Sequence, residues 1–348
     1  MDSHDLCDPR FRELVFFGEG RLGGGGDGNG PVAHPICAVL QEEISRTLAH
    51  THASLLRSAS TLRVRTGSGN RSAEPLLLFW IPLVAAAGAL AWRGNNRIVT
   101  TYYTPESGAS LSGCAVRVAQ VSDLHVKRFG RGGQRLVGRI RAAGPDVIAV
   151  TGDILDHRRE LGKRAHDFIV EFVSIAPVFL ITGNHEFRSK EWDQFRTAAE
   201  ESGAVVLDNC SVPVTVAGKG TFTMAGVHDF MFFHRSVPAY REALRKLSRE
   251  TANFPRPVIL LAHRPEHFRL YAEAGFDYIL SGHAHGGQVR LPGLGPLFAP
   301  NEGLLPKLAQ GVHCSNGSHM IVSRGLGGSR IPLRILNPPE LVIIDVPV

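Results

Sequence analysis

Short apolar runs, each followed at once by polar residues, recur from residue 115 onward. The runs are VRVAQVS, DVIAVT, PVFLIT, VILLA and DYILS. They are continuous and rich in β-branched residues, which is typical of buried strands in an α/β sheet. Amphipathic segments with apolar residues on one helical face accompany them. These predicted helices are Gln134–Ala143, Arg164–Ile175, Glu191–Ser202, Pro238–Ala252 and Arg264–Ala274.

A second group of short strands follows the third predicted helix. The segments are VVLDN, VPVTV and TFTMAGV, and near the C-terminus MIVSRG and LVIIDV are predicted to close a second sheet. This order predicts an α/β fold, a four-layer α/β/β/α sandwich of two mixed β-sheets flanked by helices, over residues 115–348. Residues 93–114 are predicted to be a linker, because Thr100–Gly113 is rich in Ser, Gly and Thr.

An uncharged apolar segment, Pro75–Trp92, precedes the linker. Its length is at the short edge of the range that spans the hydrocarbon core of a membrane, and Trp80 and Trp92 suit the interfaces. We predict a transmembrane anchor or signal helix at residues 75–92, with a buried helix as the alternative. More arginines precede the segment than follow it, which weakly favours a cytoplasmic amino end and a main domain on the other side.

Residues 1–74 show no convincing periodic pattern, and Gly18–Gly30 is mostly glycine. Such a stretch offers little apolar surface to offset the conformational entropy lost on ordering. We predict a disordered leader. Part of it is interpreted, as a hypothesis, as an over-extended gene start.

Each of the five apolar runs ends in a cluster of polar residues. Ligands collect beyond the carboxyl ends of the strands in α/β sheets, so we expect the clusters to meet at one edge. Asp123 and His125 stand two positions apart, as do His283 and His285, and in an extended chain each pair would project to one side. In chain order the clusters are Asp123-Leu124-His125, Gly152-Asp153, Gly183-Asn184-His185-Glu186, His263 and Gly282-His283-Ala284-His285.

The side chains in these clusters narrow the kind of metal site. Carboxylate, amide oxygen and imidazole groups suit Mn, Fe or Zn, and the clusters contain no thiolate of the kind that holds a structural zinc. The five cysteines of the chain show no C-x-x-C spacing either. Two carboxylates and a bound hydroxide carry about three negative charges against about four on two divalent ions, and the excess favours an anionic phosphate.

The series D-x-H, G-D, G-N-H-E, a lone His and G-H-x-H resembles the motif series of the calcineurin-like metallophosphoesterases, over roughly residues 115–348. The resemblance implies two divalent metal ions, a bridging role for Asp153 and a catalytic role for His185 beside the leaving group. It also implies hydrolysis of a phosphodiester or pyrophosphate bond by attack of a metal-bridging hydroxide. The implied ligands are Asp123, His125 and His285 on one ion, and Asn184, His263 and His283 on the other.

The tail that begins GHAHGGQVRLPGLGPLFAPNEGLLPK is similar to bacterial membrane-anchored members of that superfamily. Some of those relatives cleave the pyrophosphate of UDP-2,3-diacylglucosamine in lipid A biosynthesis. The similarity implies a phosphate-containing small molecule or lipid as the substrate, and attachment to the cell membrane through the N-terminal helix. A UDP-linked substrate requires a cytoplasmic domain, so this substrate and the arginine bias disagree about the side.

Two other functions stay open at this point. A nuclease or general phosphodiesterase would use the same fold, although no Lys/Arg block interleaved with aromatic residues supports nucleic-acid binding and the net charge of +6 is mild. A non-catalytic binding scaffold would normally lack ligands, and here none is missing. Protein phosphatase activity is disfavoured, because the chain reads Asp156-His157-Arg158 where protein Ser/Thr phosphatases of the superfamily carry Asp-Arg-Gly.

Three further features permit more than one interpretation. Glu186 either orients His185 or begins a helix. The segment Leu291–Leu308 is either a packed loop or an apolar lip that faces an acyl chain or a membrane. The sequence Arg324-Gly325-Leu326-Gly327 is interpreted as an arginine and backbone amides near a phosphate.

Overall fold

Strands and helices alternate along most of the chain, as the apolar pattern predicts. The computed structural model describes residues 14–16, 81–82, 84–85, 88–89, 92, 94–104, 114–158, 161–291, 293–299, 301–328 and 334–348. The elements named below belong to the unit formed by residues 1–18 and 87–348.

The strands carry the apolar runs, and the helices carry the amphipathic segments. The strands are β1 (Leu14–Phe16), β2 (Val99–Tyr103), β3 (Ala115–Val121), β4 (Val147–Val150), β5 (Val178–Leu180), β6 (Val205–Val206), β7 (Cys210–Val216), β8 (Gly220–Gly226), β9 (Val258–Leu261), β10 (Tyr278–Ser281), β11 (Arg290–Leu291), β12 (Gly295–Pro296), β13 (Phe298–Ala299), β14 (Gly303–Leu304), β15 (Gly311–Ser315), β16 (Ser318–Val322) and β17 (Glu340–Pro347). The helices are α1 (Gln134–Ala143), α2 (Gly162–Val173), α3 (Asn184–Arg188), α4 (Trp192–Glu201), α5 (Val237–Thr251) and α6 (Phe268–Ala274).

Two mixed sheets contain most of these strands. Within the described residues, the first has six strands in the order β2-β17-β3-β4-β5-β6, and the second has seven in the order β1-β7-β8-β9-β10-β16-β15. Strands β3 to β6 pair in parallel, and so do β8, β9, β10 and β16. The α/β class with two mixed sheets rich in parallel pairs is therefore confirmed.

Alternate side chains of the central strands enter different apolar clusters. On β3, Val118 lies in a cluster shared by both sheets, whereas Ala119 lies in a cluster with the buried faces of α1, α2 and α4. On β9, Ile259 belongs to the shared cluster and Leu260 to a third cluster with α5 and α6. Each sheet therefore has one face in the shared interior and the other covered by helices.

Helix ends follow local signals in the sequence. Helix α1 occupies the predicted residues and ends at Gly144, whose φ of 59° provides the left-handed turn that a side chain would oppose. Helix α5 begins after Ser236, whose side chain accepts a hydrogen bond from the N–H of Ala239, and Pro238 lies in its first turn. These caps fix the helix bounds to within one or two residues of the sequence prediction.

Three predicted elements are placed differently in the structure. The two C-terminal strands join different sheets: β16 pairs with β10, while β17 inserts between β2 and β3. An apolar run predicts a strand, but it does not predict which of two sheets the strand joins. Part of the predicted linker forms β2, since its sequence VTTYY is β-branched and aromatic. The helix expected from Arg264 begins only at Phe268, because Arg264 precedes a proline and stays extended.

The N-terminal predictions fall mostly outside the residues that the structure describes. Residues 14–16, which were assigned to the disordered leader, form the edge strand β1 and pair in parallel with residues 214–216 of β7. The described residues of the 75–92 segment are helical. Among the described residues, no helix has both the length and the apolar character needed to cross a membrane. The rest of the leader and of the apolar segment lie outside the described residues, and the anchor stays a prediction.

Candidate metal centre

The five polar clusters lie together at one edge shared by the two sheets. Asp123, Asp153 and Asn184 follow β3, β4 and β5 of the first sheet, and His263 and His283 follow β9 and β10 of the second. Backbone hydrogen bonds join these loops in pairs: the N–H of Asp123 donates to the Gly152 carbonyl at 3.1 Å, and that of Gly282 to the His263 carbonyl at 3.0 Å. The structure thus brings the predicted clusters to one place.

Most of the predicted ligands sit in turns with left-handed backbone conformation. The φ angles are 50° for Asp123, 46° for His125, 52° for Asp153, 64° for His283 and 49° for His285. This region costs a non-glycine residue roughly 1 to 2 kcal/mol, so the surrounding structure must hold it. The expectation that each pair would project from an extended chain is wrong. The left-handed turns keep the two side chains of each pair close to the ends of the strands. In an extended chain the second side chain would lie farther from the strand end.

Glycines allow these loops to approach each other closely. A side chain at Gly282 would collide with Ser122 Oγ and Asp123 Oδ2, which belong to the loop after β3. A side chain at Gly183 would collide with Asp153 Oδ1 in the same way. Both glycines are therefore required for carboxylates of neighbouring loops to enter the centre.

The first group of potential ligands comprises Asp123, His125 and His285. His285 Nε2 lies 3.4 Å from Asp123 Oδ1 and 3.4 Å from His125 Nε2. All three residues are buried, and their ligand atoms fit one cation. Behind this group, Arg334 is fully buried and donates to the carbonyls of Gly327 and Arg324.

The second group comprises Asp153, His263 and His283, which also fit one cation. Asp153 Oδ2 lies 3.4 Å from His263 Nε2, and it also lies 3.9 Å from His125 Nε2 in the first group. The rings of His263 and His283 meet edge to face with centroids 5.0 Å apart. One carboxylate oxygen therefore stands between the two groups.

Among the proposed ligands in the described chain, two buried atoms have no hydrogen-bond partner, Nε2 of His263 and Oδ1 of Asn184. Nδ1 of His263 lies 2.8 Å from the Thr151 carbonyl. In the neutral ring that nitrogen donates, and the lone pair is left on Nε2, an arrangement usual for histidines that bind metal. Leaving such polar atoms unsatisfied costs about 1 to 3 kcal/mol each. Divalent cations would satisfy both atoms, so the residues present fit a two-metal centre.

Three rings of the centre are held neutral, whereas His263 is paired with a charged carboxylate: burial opposes a proton on His263, but the neighbouring Asp153 raises the pKa of that ring to about 10. Burial lowers the pKa of His125 to about 4 and holds the pKa of His283 and of His285 well below the ordinary value. Burial also opposes ionisation of Asp153, but the neighbouring His263 holds the pKa of that carboxyl well below its usual range. Neutral imidazole and ionised carboxylate are the forms that bind metal, so a cation bound between His263 and Asp153 would displace the proton of that ring.

Glu186 holds two of the loops together beneath the centre. Its buried carboxylate accepts hydrogen bonds from the N–H groups of Asp153 at 2.8 Å, Leu155 at 2.9 Å and Gly183 at 2.6 Å. It also forms a capping interaction at the start of α3. Of the two interpretations offered by the sequence, the structure thus favours the helix start, and it adds the bridge to the Asp153 loop.

His185 lies between Asp153 and Asp156 and lines the cavity outside the centre. Its Nδ1 is 3.0 Å from His157 Nδ1 and 3.5 Å from Asp156 Oδ1, and its Nε2 is 4.0 Å from Asp153 Oδ2. Burial lowers its pKa; the Asp153 carboxylate opposes this shift and the neighbouring His157 adds to it. A ring so placed is in contact with both the centre and the cavity outside it.

A cavity of about 550 Å³ opens over the centre. Its wall contains several arginines and, among carboxylates, Asp153. Arg264 makes a bidentate pair with Asp229 at 2.7 and 3.2 Å, and Arg158 pairs with Asp156 at 2.9 Å. The lining residues are Asp153, His157, Arg158, Asn184, His185, Arg188, Arg235, Arg264, His283, His285, Gln288, Phe298 and Asn301.

The sequence interpretation of the basic residues was wrong. Arg324, which was expected near a phosphate, instead pairs with Glu340 at 2.9 Å and does not line the cavity. The arginines that do line it were not recognised in the sequence. Arg264 directly follows His263 and Arg188 lies four residues after Asn184, so their positions next to ligands were a usable signal. Arg235 comes from a separate loop and had no such signal.

The chain is similar in sequence to known proteins, and more weakly in structure. The family model of the calcineurin-like phosphoesterases matches residues 116–287. The uncharacterized metallophosphoesterase YkuE of Bacillus subtilis is 28% identical over 277 residues, which cover 75% of this chain and 93% of YkuE. The phosphodiesterase YaeI of Escherichia coli is 27% identical over 237 residues, covering 66% of this chain and 82% of YaeI. A crystal structure of a dimetal phosphatase from Danio rerio aligns with a TM-score of 0.42 at 14% identity, over 61% of this chain and 88% of that one.

The family match and the named relatives agree with the two Asp/His groups at the strand ends. A two-metal centre of this composition can polarise a phosphoester and activate a water molecule for its hydrolysis. The chain belongs to the calcineurin-like metallophosphoesterase superfamily, and it is a hydrolase that acts on phosphoester bonds with two divalent metal ions.

Proposed function

We propose that this chain hydrolyses a phosphodiester or pyrophosphate bond at the centre between the two sheets. One observation carries the proposal: Asp153 stands between two groups of buried imidazoles, and neither Nε2 of His263 nor Oδ1 of Asn184 makes a hydrogen bond. Bound there, two divalent ions supply Lewis acidity and an activated water for attack at phosphorus.

The proposed ligand assignment follows the two groups. Asp153 would be shared, which keeps the two ions close enough to act on one phosphate. Arg334, packed behind His285, and Glu186, bonded under Asp153, hold the ligands in place. One ion would be held by Asp123, His125 and His285, and the other by Asn184, His263 and His283.

His185 is proposed to deliver a proton or a hydrogen bond to the leaving oxygen. The Asp156 carboxylate, 3.5 Å from Nδ1, stabilises the protonated ring during that transfer. The contact of His157 with the same nitrogen orients the ring. Proton transfer by a positioned side chain typically contributes about a hundredfold to ten-thousandfold.

The test is hydrolysis of bis-p-nitrophenyl phosphate by the purified chain with Mn²⁺ added. We expect release of p-nitrophenol that is abolished by a chelator and restored by Mn²⁺. No release with Mn²⁺, Fe²⁺ or Zn²⁺ would contradict the proposal. Single-stranded DNA added as a competitor separates the nuclease alternative, since a nuclease would be inhibited.

An apolar lip beside the cavity supports a further proposal, that the substrate is lipid-linked, as UDP-2,3-diacylglucosamine is. The segment Leu291–Leu308 forms the two small hairpins β11–β12 and β13–β14. Phe298 is 52% exposed and lines the cavity, and Leu304 is 75% exposed on the paired strand. Exposed apolar side chains grouped beside a site usually mark an interaction surface. Attachment to a membrane through residues 75–92 is proposed on the sequence pattern alone.

Replacing Phe298 and Leu304 together by serine tests the lip. We expect turnover of lysophosphatidylcholine to fall about tenfold or more relative to glycerophosphocholine, the same diester without its acyl chain. Full burial of one large apolar side chain is worth about 1.5 to 3 kcal/mol, so even partial covering of the two side chains by an acyl chain is worth about 1.4 kcal/mol. Val170→Ser, at a side chain that is 47% exposed on α2, is the matched control. An equal change on both diesters, or the same loss in the control, would exclude an acyl-binding lip.

A further inference from the structure

The cavity over the metal centre carries more positive charge than its own acidic groups balance. Arg158 and Arg264 have acidic partners, Asp156 and Asp229. Arg188 and Arg235, both exposed, line the same cavity, and among the ion pairs of the described residues none joins either guanidinium to a carboxylate; Arg235 Nε donates instead to Met231 Sδ at 3.1 Å. Two cations in the centre would add to this excess. An arginine that faces a cavity without an acidic partner is free to bind an anion.

Arg188 is placed by the helix that also carries a proposed ligand. Helix α3 runs from Asn184 to Arg188, so the two residues stand one turn apart on one side of the helix. Both line the cavity. The positive charge of Arg188 also contributes to the lowered pKa of His157, after the larger effect of burial. Arg188 is thus held next to the centre and not at a distant surface.

Arg235 reaches the same cavity from a different loop. It follows a 3-10 turn at Phe230–Phe233, and both His234 and Arg235 are left-handed, with φ of 50° and 59°. Two consecutive residues in that region store strain of roughly 1 to 3 kcal/mol each, which is found where a side chain must be aimed. The rings of Phe187 and Phe232 meet edge to face with centroids 5.0 Å apart and join this loop to α3.

We propose that Arg188 and Arg235 form a second anion subsite, so that the preferred substrate carries an anionic group in addition to the phosphate that is cleaved. This inference rests on the proposed function, and it selects doubly anionic substrates over simple diesters. Guanidinium groups bind phosphate oxygens through paired N–H donors. The cavity of about 550 Å³ is large enough for both groups of such a substrate.

The test compares ligands that differ by one phosphate. Calorimetry in Mn²⁺ would measure the affinity for AMP, for ADP and for adenosine 3′,5′-bisphosphate, with unaltered chain and with the double variant Arg188→Gln/Arg235→Gln. We expect the unaltered chain to prefer a two-phosphate ligand to AMP, and the double variant to lose about tenfold of that preference. Preference for ADP identifies adjacent phosphates, and preference for the bisphosphate identifies separated ones.

Arg245→Gln is the matched control, because Arg245 is an exposed residue of α5 that does not line the cavity. It removes one arginine charge, where the double variant removes two, and should leave the preference and the hydrolysis of bis-p-nitrophenyl phosphate unchanged. An unchanged preference in the double variant, or an equal loss in Arg245→Gln, would overturn the subsite. If the unaltered chain shows no preference for two phosphates but hydrolyses the diester, the subsite is wrong and the proposed function stands. If the unaltered chain hydrolyses no diester, the proposed function and the subsite that rests on it are both wrong.

Discussion

At the scale of single residues, Asp153 and His185 have separate tasks in the same cavity. Asp153 is buried and contacts rings from both ligand groups, while its Oδ1 accepts a hydrogen bond from the backbone N–H of His185 at 2.8 Å. The imidazole of His185 keeps 12% of its surface exposed, toward the cavity. A residue that holds metal should affect occupancy, whereas one that only delivers a proton should affect turnover.

Replacing His185 by alanine should preserve the metal content and lower kcat. The loss should be about a hundredfold or more on an alkyl phosphodiester, whose leaving oxygen needs a proton, and much smaller on a p-nitrophenyl ester. Steady-state kinetics on both substrates measures the difference. His166→Ala is the control, since His166 bonds to Ser202 and does not line the cavity. Equal losses on both esters would remove His185 from the proton-transfer role.

Replacing Glu186 by glutamine should lower the melting temperature even though size is conserved. The carboxylate accepts three backbone N–H groups, and the amide NH₂ of glutamine would face at least one donor. A buried donor without an acceptor costs about 1 to 3 kcal/mol. Calorimetric unfolding of this variant and of Glu171→Gln, at an exposed position of α2, provides the comparison. Equal stability of the two variants would mean that the three hydrogen bonds contribute little.

At the scale of elements, strand ends and turns decide where the ligands meet. The sequence predicts the strands, the helices and the residues of the centre, because continuous apolar runs and one-sided helices are local patterns. It does not predict the left-handed turns at Asp123 and His283, since these depend on contacts between loops that are distant in the chain. For the same reason Arg235 and the position of β17 between β2 and β3 could not be recognised. Strand β2 was mistaken for part of a linker, although its sequence VTTYY favours a strand.

The contact between the β10 loop and the β3 loop should make Gly282→Ala strongly destabilising. The new methyl group would collide with Ser122 Oγ and Asp123 Oδ2, so the variant should lose about 2 kcal/mol or more of unfolding free energy. Gly138→Ala in α1 is the matched control. Its Cβ would meet no atom within 4 Å, and alanine favours a helix by about 0.8 to 1 kcal/mol. Chemical denaturation should show a lower free energy of unfolding for Gly282→Ala and a higher one for Gly138→Ala. An unchanged free energy of unfolding in Gly282→Ala would show that the two loops have room for a methyl group.

At the scale of the whole molecule, the two sheets meet at the metal centre. Gln120 of β3 donates to the Ser281 carbonyl of β10 at 2.8 Å, and the shared apolar cluster lies between the sheets. Ligands come from both sheets, so each cation depends on the sheets keeping their relative position. Asp153, from the first sheet, lies 3.4 Å from His263 of the second. The fold therefore joins stability to metal binding, and bound metal should raise the melting temperature.

The central claim is that Asp153 is shared between two ions. The most direct test is the metal content of purified protein after dialysis against Mn²⁺, by mass spectrometry of the metal, for the unaltered chain, Asp153→Asn and Asp167→Asn. Asp167 is a 63% exposed side chain on α2 and serves as the control. We expect about two equivalents in the unaltered chain and the control, and fewer than about one in Asp153→Asn. Two full equivalents retained in Asp153→Asn would contradict the shared ligand.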